Sequence, residues 1–270
     1  MLASRPFAAL DGEAQGRQSG HAPPARSGHR AVVGRKSNQC MRTGPGNSGC
    51  PRHGFDMLRY HRRHRAIAIC LAGLAGYVDA VGFLQLGGFF VSFMSGNSTR
   101  LAVGIAERAH SGVVALGLVA GFVAGVVLGT LVGRRAPPEY RGCIVLAAVA
   151  LLLTIAAAIE PFAGVPATIG AMLLAMGAEN AVFERDGEVS IGLTYMTGTL
   201  VKIGQRIATA LSGGDPLGWL PYFLLWAGLV VGATLGALAF PRLGLASLWV
   251  AAAAAAIMSM LMLQVSRKHA

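Results

Sequence analysis

The sequence predicts an all-α integral membrane protein with about six transmembrane helices in two repeats. Three observations support this fold class: the chain is poor in charge, its apolar residues form stretches of membrane length, and several motifs occur twice in the same order. Of 270 residues, 54% are hydrophobic and 13% are charged, whereas soluble domains carry about 25% charged residues. This composition argues against an ordinary soluble enzyme.

The formal net charge of +11 is concentrated near the N-terminus. Residues 1–65 contain twelve Lys and Arg against three Asp and Glu, a net charge of +9, and the remaining residues contain eleven against nine, a net charge of +2. The basic character therefore belongs to a short segment and gives no reason to expect a nucleic-acid partner.

Residues 1–56 are predicted to be a disordered basic tail, because Gly, Pro, Ser and Arg recur there without a sustained apolar period. Two interpretations stay open: a solvated tail, or an over-extended gene start with Met57 as the true first residue. A basic arm that binds nucleic acid or lipid is a less favoured third. Residues 57–65 form a basic flank that we expect on the cytoplasmic side. The spacing of the four cysteines matches no known metal site, so we expect neither a metal nor a cofactor.

Six apolar stretches follow, each about as long as the roughly 20 residues that cross a hydrocarbon core. Two further stretches are apolar but interrupted by polar residues, and we expect them to be re-entrant or broken. The six are 66–86, 112–133, 142–160, 166–183, 217–240 and 245–265, and the interrupted two are 88–106 and 190–211.

The placement of Lys and Arg predicts the orientation, since cytoplasmic loops are enriched in both. With six spans, the basic clusters at 59–65, 134–141 and 267–268 all lie in the cytoplasm, as do both termini, and Arg242 is the exception. The loop 160–165, which contains no Lys or Arg, lies outside. If the two interrupted stretches also crossed, eight spans would result and the 134–141 cluster would face outward. The charge pattern favours six.

Three sequence blocks occur twice, at offsets of 101 to 107 residues. Gly76-Tyr-Val-Asp79-Ala-Val corresponds to Gly177-Ala-Glu-Asn180-Ala-Val, and Phe93-Met-Ser-Gly-Asn97 corresponds to Tyr195-Met-Thr-Gly-Thr199. We therefore divide the membrane part into repeats at 66–160 and 161–270. Three spans per repeat predict an inverted arrangement, which many secondary transporters use; eight spans would make the repeat parallel.

The third block is a set of glycines four residues apart, which line one face of a helix in each repeat. Small residues at this spacing let helices approach closely. Packing within one subunit is favoured over homodimerisation, and neither interpretation implies a ligand. The glycines are Gly121, Gly125 and Gly129 in the first repeat and Gly228, Gly232 and Gly236 in the second.

Polar side chains within the apolar stretches are the candidate site residues, because lipid cannot satisfy their hydrogen bonds. Asp79 is the strongest candidate for a coupling-ion or proton site, with a structural hydrogen bond as the alternative. Asn180 is its counterpart, and Glu179 is weaker because its own counterpart is Val78. The candidates in the interrupted stretches are Ser95, Asn97, Thr99, Thr197 and Thr199. Two interpretations stay open for these side chains: they line a solute pathway, or they only link helices by hydrogen bonds.

The blocks Gly76–Phe83, Met94-Ser-Gly-Asn97-x-Thr99 and Gly192–Gly198 resemble the YoaK-like family of bacterial inner-membrane proteins. This family is grouped as a domain of unknown function, and the resemblance covers about residues 60–265. It implies a multi-spanning helical protein of the inner membrane. It implies no substrate and no catalytic residue.

The leading hypothesis is a small secondary transporter or channel, without enzymatic activity, for an unidentified small polar solute or ion. A non-transporting membrane scaffold or subunit is the first alternative, and a membrane-embedded enzyme that acts on lipid is the second. The apolar stretches contain no His, which argues against His-dependent proteolysis or a His-ligated metal in the membrane. The expected partners are the lipid bilayer, the solute and, as an open alternative, a second copy of the chain.

Overall fold

The computed structural model describes residues 62–185, 188–189 and 194–267. The predictions for the tail 1–56, for most of the flank 57–65 and for residues 190–193 and Lys268 lie outside this part. Within it, seven α-helices are joined by short connections, and β1 (Glu184–Arg185) pairs antiparallel with β2 (Glu188–Val189). The helices are α1 (Arg62–Gln85), α2 (Met94–Ala106), α3 (His110–Arg135), α4 (Arg141–Glu179), α5 (Met196–Leu211), α6 (Leu220–Leu243) and α7 (Leu248–Arg267).

Four helical stretches in the described residues are long and apolar enough to cross a membrane: Arg65–Gln85, His110–Arg135, Arg141–Glu179 and Leu220–Gln264. The third contains 39 residues, about 58 Å of helix at 1.5 Å per residue, which is about twice the thickness of a hydrocarbon core. The fourth contains 45 residues. The predicted fold class, an all-α membrane protein, is confirmed, and the two longest stretches each divide into two segments.

The first division falls at Gly164 within α4, whose φ of 72° and ψ of −179° leave the helical region. Glycine takes a positive φ at no steric cost, and Pro161 and Pro166 weaken the helix on either side. The chain reverses here, because a Cβ on Gly142 would lie 3.2 Å from the carbonyl oxygen of Val182, at the opposite end of the stretch. The predicted loop at 160–165 is therefore a break at one residue, and 142–160 and 166–183 lie on the two arms of a hairpin.

The second division lies between α6 and α7, where Gly244 has a φ of 54° and opens the 3₁₀ turn Gly244–Ser247. Tyr77 of α1 contacts α6 before this turn and also the last residue of the turn itself. Its carbonyl oxygen would lie 2.5 Å from a Cβ on Gly236, and its hydroxyl donates to the carbonyl of Ser247 at 3.2 Å. Eleven residues of straight helix extend about 16 Å, so the helix bends at this turn. Because the apolar stretch Leu220–Gln264 has 45 residues, about twice what one crossing needs, α7 crosses back antiparallel to α6.

Glycines bring α1 and α6 into backbone contact. A Cβ on Gly73 would lie 3.2 Å from the carbonyl oxygen of Gly228, and one on Gly236 would meet Tyr77 as described above. Gly232, between these two positions on α6, contacts the backbone of Gly73. Since the contacts advance together along both helices, α1 and α6 are parallel.

The second half of α4 pairs with α3 in the same manner. A Cβ on Gly121 would lie 2.9 Å from the Cδ1 of Leu173, and one on Gly129 would lie 2.6 Å from the Cα of Ala178. Gly125 contacts the backbone of α4 between these points. These two helices are therefore also parallel, and glycine is required wherever the backbones come this close.

One end of the bundle collects the basic residues. The start of α4 meets the end of α7, where the Sγ of Cys143 lies 3.6 Å from the Oγ of Ser266. With eight crossings these two helix ends would lie on opposite sides of the membrane, so the contact supports six. The start of α1 lies at the same end, because α7 runs antiparallel to α6 and hence to α1. This basic end comprises Arg65, Arg134, Arg135, Arg141 and Arg267.

The two interrupted stretches contain the shortest of the helices. α2 has 13 residues and α5 has 16, which gives about 20 Å and 24 Å of helix at 1.5 Å per residue. Both are shorter than a hydrocarbon core of about 30 Å. Neither helix therefore makes a complete crossing by itself.

We expect Gly76→Ala to destabilise the protein, because the added Cβ would overlap the carbonyl oxygen of Leu229 in α6. Overpacking of this kind costs about 1–3 kcal/mol. Gly117→Ala in α3 is the matched control, since a Cβ there meets nothing within 4 Å. The thermal midpoint of the detergent-solubilised protein is measured from the loss of its size-exclusion peak on heating. Equal midpoints for the two variants would contradict the packing argument.

Candidate functional site

The short helices α2 and α5 begin in equivalent ways, each after a stretch of non-helical backbone. Their N-cap residues, Phe93 and Tyr195, provide no side-chain hydrogen bond to the first turn. The first N–H groups of a helix have no partner within the helix itself. In the described part of the chain, the amides of Ser95 and Gly198 also find no acceptor elsewhere.

Asp79 of α1 holds the backbone that precedes α2. Its Oδ1 accepts the amide of Val91 at 2.8 Å and the amide of Ser92 at 2.7 Å. Asp79 is only 7% exposed, and a buried amide without an acceptor is costly. The carboxylate therefore satisfies an unwound segment that lipid could not.

Asn97 of α2 holds the same segment from the other side. Its Oδ1 accepts the amide of Phe90 at 3.0 Å, and its Nδ2 donates to the carbonyl of Phe90 at 2.6 Å. This pair of hydrogen bonds satisfies both polar backbone groups of one residue. The side chain is fully buried and has a structural partner on each of its two polar atoms.

In the second half of the chain, Asn180 occupies the position that corresponds to Asp79. Its Oδ1 accepts the hydroxyl of Thr194 at 3.0 Å, and its Nδ2 donates to the carbonyl of Met176 at 3.0 Å. Thr194 stands just before α5, as Ser92 stands just before α2. The side chains at 79 and 180 therefore both bond the residue two positions before a short helix, Asp79 at the backbone amide of Ser92 and Asn180 at the side-chain hydroxyl of Thr194.

A cavity of about 230 Å³ lies where the starts of α2 and α5 come together. Phe122 of α3 completes its wall, and no residue of the lining is Asp, Glu, Lys, Arg or His. Hydroxyl groups, aromatic rings and methionines form the surface. The lining consists of Ser92, Phe93, Met94, Ser95, Phe122, Thr194, Tyr195, Met196, Thr197 and Gly198.

The structure brings only some of the predicted site residues to this cavity. Ser95 and Thr197 line it. Asp79 and Asn180 lie one hydrogen bond behind its wall, through Ser92 and Thr194.

Asn97, Thr99 and Thr199 are not in the lining. The hydroxyls of Thr99 and Thr199 each donate to a carbonyl one turn earlier in their own helix, at 3.3 Å. These two threonines therefore make local bonds.

Ser92 and Thr194 line the cavity but were not among the predicted site residues. Both are polar residues two positions before their short helix, at an offset of 102 residues. This shared position is the signal by which the sequence could have identified them.

Glu179 is fully buried near the end of α4, and its two carboxylate oxygens have no hydrogen-bond partner among the described residues. It does not line the cavity. Within the described ranges, no group of three or more His, Cys, Asp or Glu side chains could hold a metal ion.

These features define a small all-α membrane protein in which two short helices meet at a cavity. Residues 67–261 match the family described as "Protein of unknown function (DUF1275)", and the chain belongs to this family. The predicted resemblance to the YoaK-like family is confirmed by two relatives whose names place them in the membrane.

One relative is the UPF0700 transmembrane protein RA0705 of Rhizobium meliloti (strain 1021), which is 33% identical over 204 residues, 75% of this chain and 88% of that protein. The other is the UPF0700 transmembrane protein YoaK of Bacillus subtilis (strain 168), which is 31% identical over 150 residues, 53% of this chain and 66% of that protein. No solved structure matches the chain.

We expect Asp79→Asn to fold and Asp79→Leu to be destabilised. An amide oxygen still accepts the amide protons of Val91 and Ser92, whereas leucine leaves both donors buried without a partner. Each unsatisfied donor costs about 1–3 kcal/mol, so Asp79→Leu should lower the thermal midpoint by about 4–8 °C or more. A thermal midpoint for Asp79→Asn as low as that for Asp79→Leu would show that loss of the two hydrogen bonds does not explain the destabilisation.

Proposed function

We propose that this protein is a small secondary transporter or channel that carries a small polar solute across the bacterial inner membrane. The cavity between the starts of α2 and α5 is the observation that carries this proposal. Transporters commonly place their substrate site where two discontinuous helices meet near the interface of two repeats. Unwound backbone at membrane depth is tolerated where it is buried in protein or lines a water-filled cavity.

Matched glycine contacts support a two-fold internal repeat. A Cβ on Gly76 would overlap the carbonyl oxygen of Leu229, and one on Gly177 would overlap that of Phe122. Gly177 is 101 residues after Gly76, and Leu229 is 107 residues after Phe122. These are the offsets of the repeated blocks, so equivalent residues make equivalent contacts.

The helix directions support an inverted repeat. α1 starts at the basic end, and α4 starts there too before it reverses at Gly164. The second half of α4, which is the counterpart of α1, therefore runs opposite to it. The starts of α2 and α5 then belong to two oppositely oriented halves, and the cavity lies at the interface between them. This is the placement that alternating access requires.

The basic end supports a cytoplasmic location for both chain termini. Cytoplasmic loops are enriched in Lys and Arg, and the described arginines at the ends of α1, α3, α4 and α7 lie together. We assign this end to the cytoplasm. The tips of the two hairpins, at Gly164 and Gly244, then face the opposite side.

Asp79 supports a coupling role, because it binds the amide of Ser92 and Ser92 lines the cavity. A protonated carboxyl group is a weaker acceptor for amide protons than a carboxylate. Uptake of a proton at Asp79 would therefore loosen the cavity wall. In this proposal Asp79 positions the wall and does not contact the solute.

The transport test uses Gly198→Leu, which places a side chain into the cavity. A Cβ on Gly198 meets nothing within 4 Å, so the larger residue can enter the open space without displacing the backbone. Gly204→Leu is the matched control on the same helix, because its Cβ also meets nothing within 4 Å and it does not line the cavity. We expect Gly198→Leu to reduce flux at least tenfold and Gly204→Leu to retain it within twofold.

Flux is measured by stopped-flow light scattering of proteoliposomes that swell in glycerol, glycine, sodium lactate or potassium chloride. The wild-type protein should accelerate entry of at least one of these solutes over protein-free liposomes. Acceleration of none of them, or equal flux for the two leucine variants, would count against transport through this cavity. A purified complex with a stoichiometric membrane partner and no flux would favour a scaffold instead.

The orientation predicts opposite labelling of two engineered cysteines. In a chain whose native cysteines are replaced by serine, Glu139→Cys should react with an impermeant maleimide only from the cytoplasmic side, and Phe162→Cys only from outside. Both positions are exposed, Phe162 at 91%, and one crossing of α4 separates them. Labelling of Glu139→Cys from outside would overturn the six-span arrangement, and labelling of both residues from the same side would contradict the crossing between them.

A further inference from the structure

We infer that Glu179 is a proton-binding site on the cytoplasmic side of the membrane core, and that its proton is coupled to an opening of the basic end. This inference rests on the proposed function and adds the coupling ion. Glu179 is fully buried, neither of its carboxylate oxygens has a hydrogen-bond partner, and no described residue forms an ion pair with it. An ionised carboxylate in such a place is very costly, and the group binds a proton instead.

The position of Glu179 along α4 places the carboxyl group inside the membrane core. Glu179 follows Gly164, at the tip of the hairpin, by 15 residues, which is about 22 Å of helix in a core about 30 Å thick. Ala175 and Met176, one turn earlier on the same face, are also fully buried. α4 ends at Glu179, and the C-terminal end of a helix disfavours a further negative charge. Both the apolar surrounding and the helix end therefore favour the neutral carboxyl group.

The internal repeat indicates that the fold does not need a carboxyl group at this position. The counterpart of Glu179 in the first half is Val78, which is also fully buried. An apolar side chain therefore fills the equivalent position, whereas the next position is polar in both halves, as Asp79 and Asn180. An ionisable residue within a membrane-spanning segment is expensive and marks a functional site by default.

The groups around Glu179 favour a proton over a metal ion as the ligand. Hard metal ions take about six oxygen ligands, and in the described ranges no group of three or more His, Cys, Asp or Glu side chains could hold one. The last carbonyls of α4, those of Gly177, Ala178 and Glu179, already accept amide protons from the residues that follow. A proton needs a single carboxylate oxygen.

The packing around Glu179 links its proton to the basic end. Its carbonyl accepts the amide of Val182 at 3.1 Å, and a Cβ on Gly142 would lie 3.2 Å from the carbonyl oxygen of Val182. On the other side, a Cβ on Gly129 of α3 would lie 2.6 Å from the Cα of Ala178. Release of the proton breaks the O–H bond, passes the proton to water and leaves a carboxylate that this closed packing does not stabilise. The ionised form therefore favours a conformation in which α3 and α4 separate here and water enters.

Arg141 is the cation that such an opening brings towards Glu179. A Cβ on Gly133 would lie 2.9 Å from the Nε of Arg141, and Gly133 is one turn, about 6 Å, beyond Gly129 on α3. Cys143 is the nearby thiol, and its Sγ lies 3.6 Å from the Oγ of Ser266. The strands β1 and β2 add two glutamates and an arginine to this end. The charged residues that α1, α3 and α7 add are Arg65, Arg134, Arg135 and Arg267.

Asn180 places the proton site next to the cavity. It follows Glu179 directly, and its Oδ1 accepts the hydroxyl of Thr194, which lines the cavity. Separation of α3 and α4 at Glu179 therefore opens a route between the cavity and the cytoplasm. The solute and the proton then leave through the same opening, which is the condition for coupling one to the other.

The proton itself is tested by infrared spectroscopy of the full-length protein in nanodiscs at neutral pH. We expect a carbonyl stretching band of a protonated carboxyl group that is present in the wild-type protein and absent from both Glu179→Gln and Glu179→Leu. Glu139→Gln is the matched control, because Glu139 is exposed in the connection between α3 and α4 and should be ionised in water. Its spectrum should keep the band.

Thermal midpoints separate a proton site from a structural role of the same side chain. Glu179→Leu loses no hydrogen bond and removes a buried polar group, so its midpoint should equal or exceed that of wild type. A decrease as large as that of Asp79→Leu would assign Glu179 a structural role and overturn the inference.

Coupling is tested in proteoliposomes with whichever of glycerol, glycine, sodium lactate and potassium chloride the wild-type protein carries. An imposed proton gradient should accelerate wild-type uptake at least fivefold. Glu179→Leu should retain flux without a gradient, and the gradient should change its flux by less than twofold. Glu139→Gln should respond as the wild type does.

The outcomes distinguish this inference from the proposed function. A protonated-carboxyl band that persists in the Glu179 variants, or that the wild type lacks, would overturn the proton site. Flux that ignores the gradient in the wild type, or responds equally in Glu179→Leu, would overturn the coupling and retain the transporter. A band lost only in the Glu179 variants, with no flux of any solute, would retain the proton site and exclude transport.

Discussion

Hydrocarbon offers no hydrogen-bond partner to an unwound backbone, and this constraint governs how the chain between α1 and α2 is built. That segment leaves the helical conformation within an apolar stretch, so its amides need acceptors from the protein. Asp79 supplies one oxygen for the amides of Val91 and Ser92, and Asn97 pairs with both polar groups of Phe90. Asp79 and Asn97, polar residues in otherwise apolar stretches, thus provide the hydrogen-bond partners that lipid cannot give to this backbone. They hold the segment whose last residues, Ser92 and Phe93, line the cavity.

The glycine contacts determine where the starts of α2 and α5 meet. α1 packs in parallel on α6, and the second half of α4 packs in parallel on α3, so each half of the chain is paired with the other half. A Cβ on Gly76 would overlap the carbonyl of Leu229, which shows that the separation is set by backbone against backbone. Side chains in lipid gain little from mutual burial, and close packing of small residues replaces the hydrophobic effect as the cohesive force. The starts of α2 and α5 lie close together as a consequence of this exchange.

The sequence was sufficient to predict the class of the fold, because hydropathy and length decide whether a helix can cross a membrane. It also located the interruptions at 88–106 and 190–211, since polar residues cannot face lipid. It could not identify the partner of Asp79, because a carboxylate in a span is compatible with an ion, a proton or a backbone amide. Nor could it show that Ser92 and Thr194 line a cavity, since that depends on the pairing of helices 100 residues apart. The hairpin at Gly164 was expected as a six-residue loop, because a single glycine between two prolines gives no hydropathy signal.

The two halves fix the residue before their short helix with different chemistry. Asp79 accepts two amide protons, whereas Asn180 accepts the hydroxyl of Thr194 and donates to the carbonyl of Met176. An amide side chain keeps its hydrogen-bonding character at every physiological pH, while a carboxylate changes from acceptor to donor when it binds a proton. In the proposed transporter, only the wall contributed by the first half can therefore respond to protons. The cavity wall from the second half would keep its hydrogen bonds, while the wall from the first half would change when Asp79 binds a proton. A single side chain would then make two nearly equivalent halves respond differently.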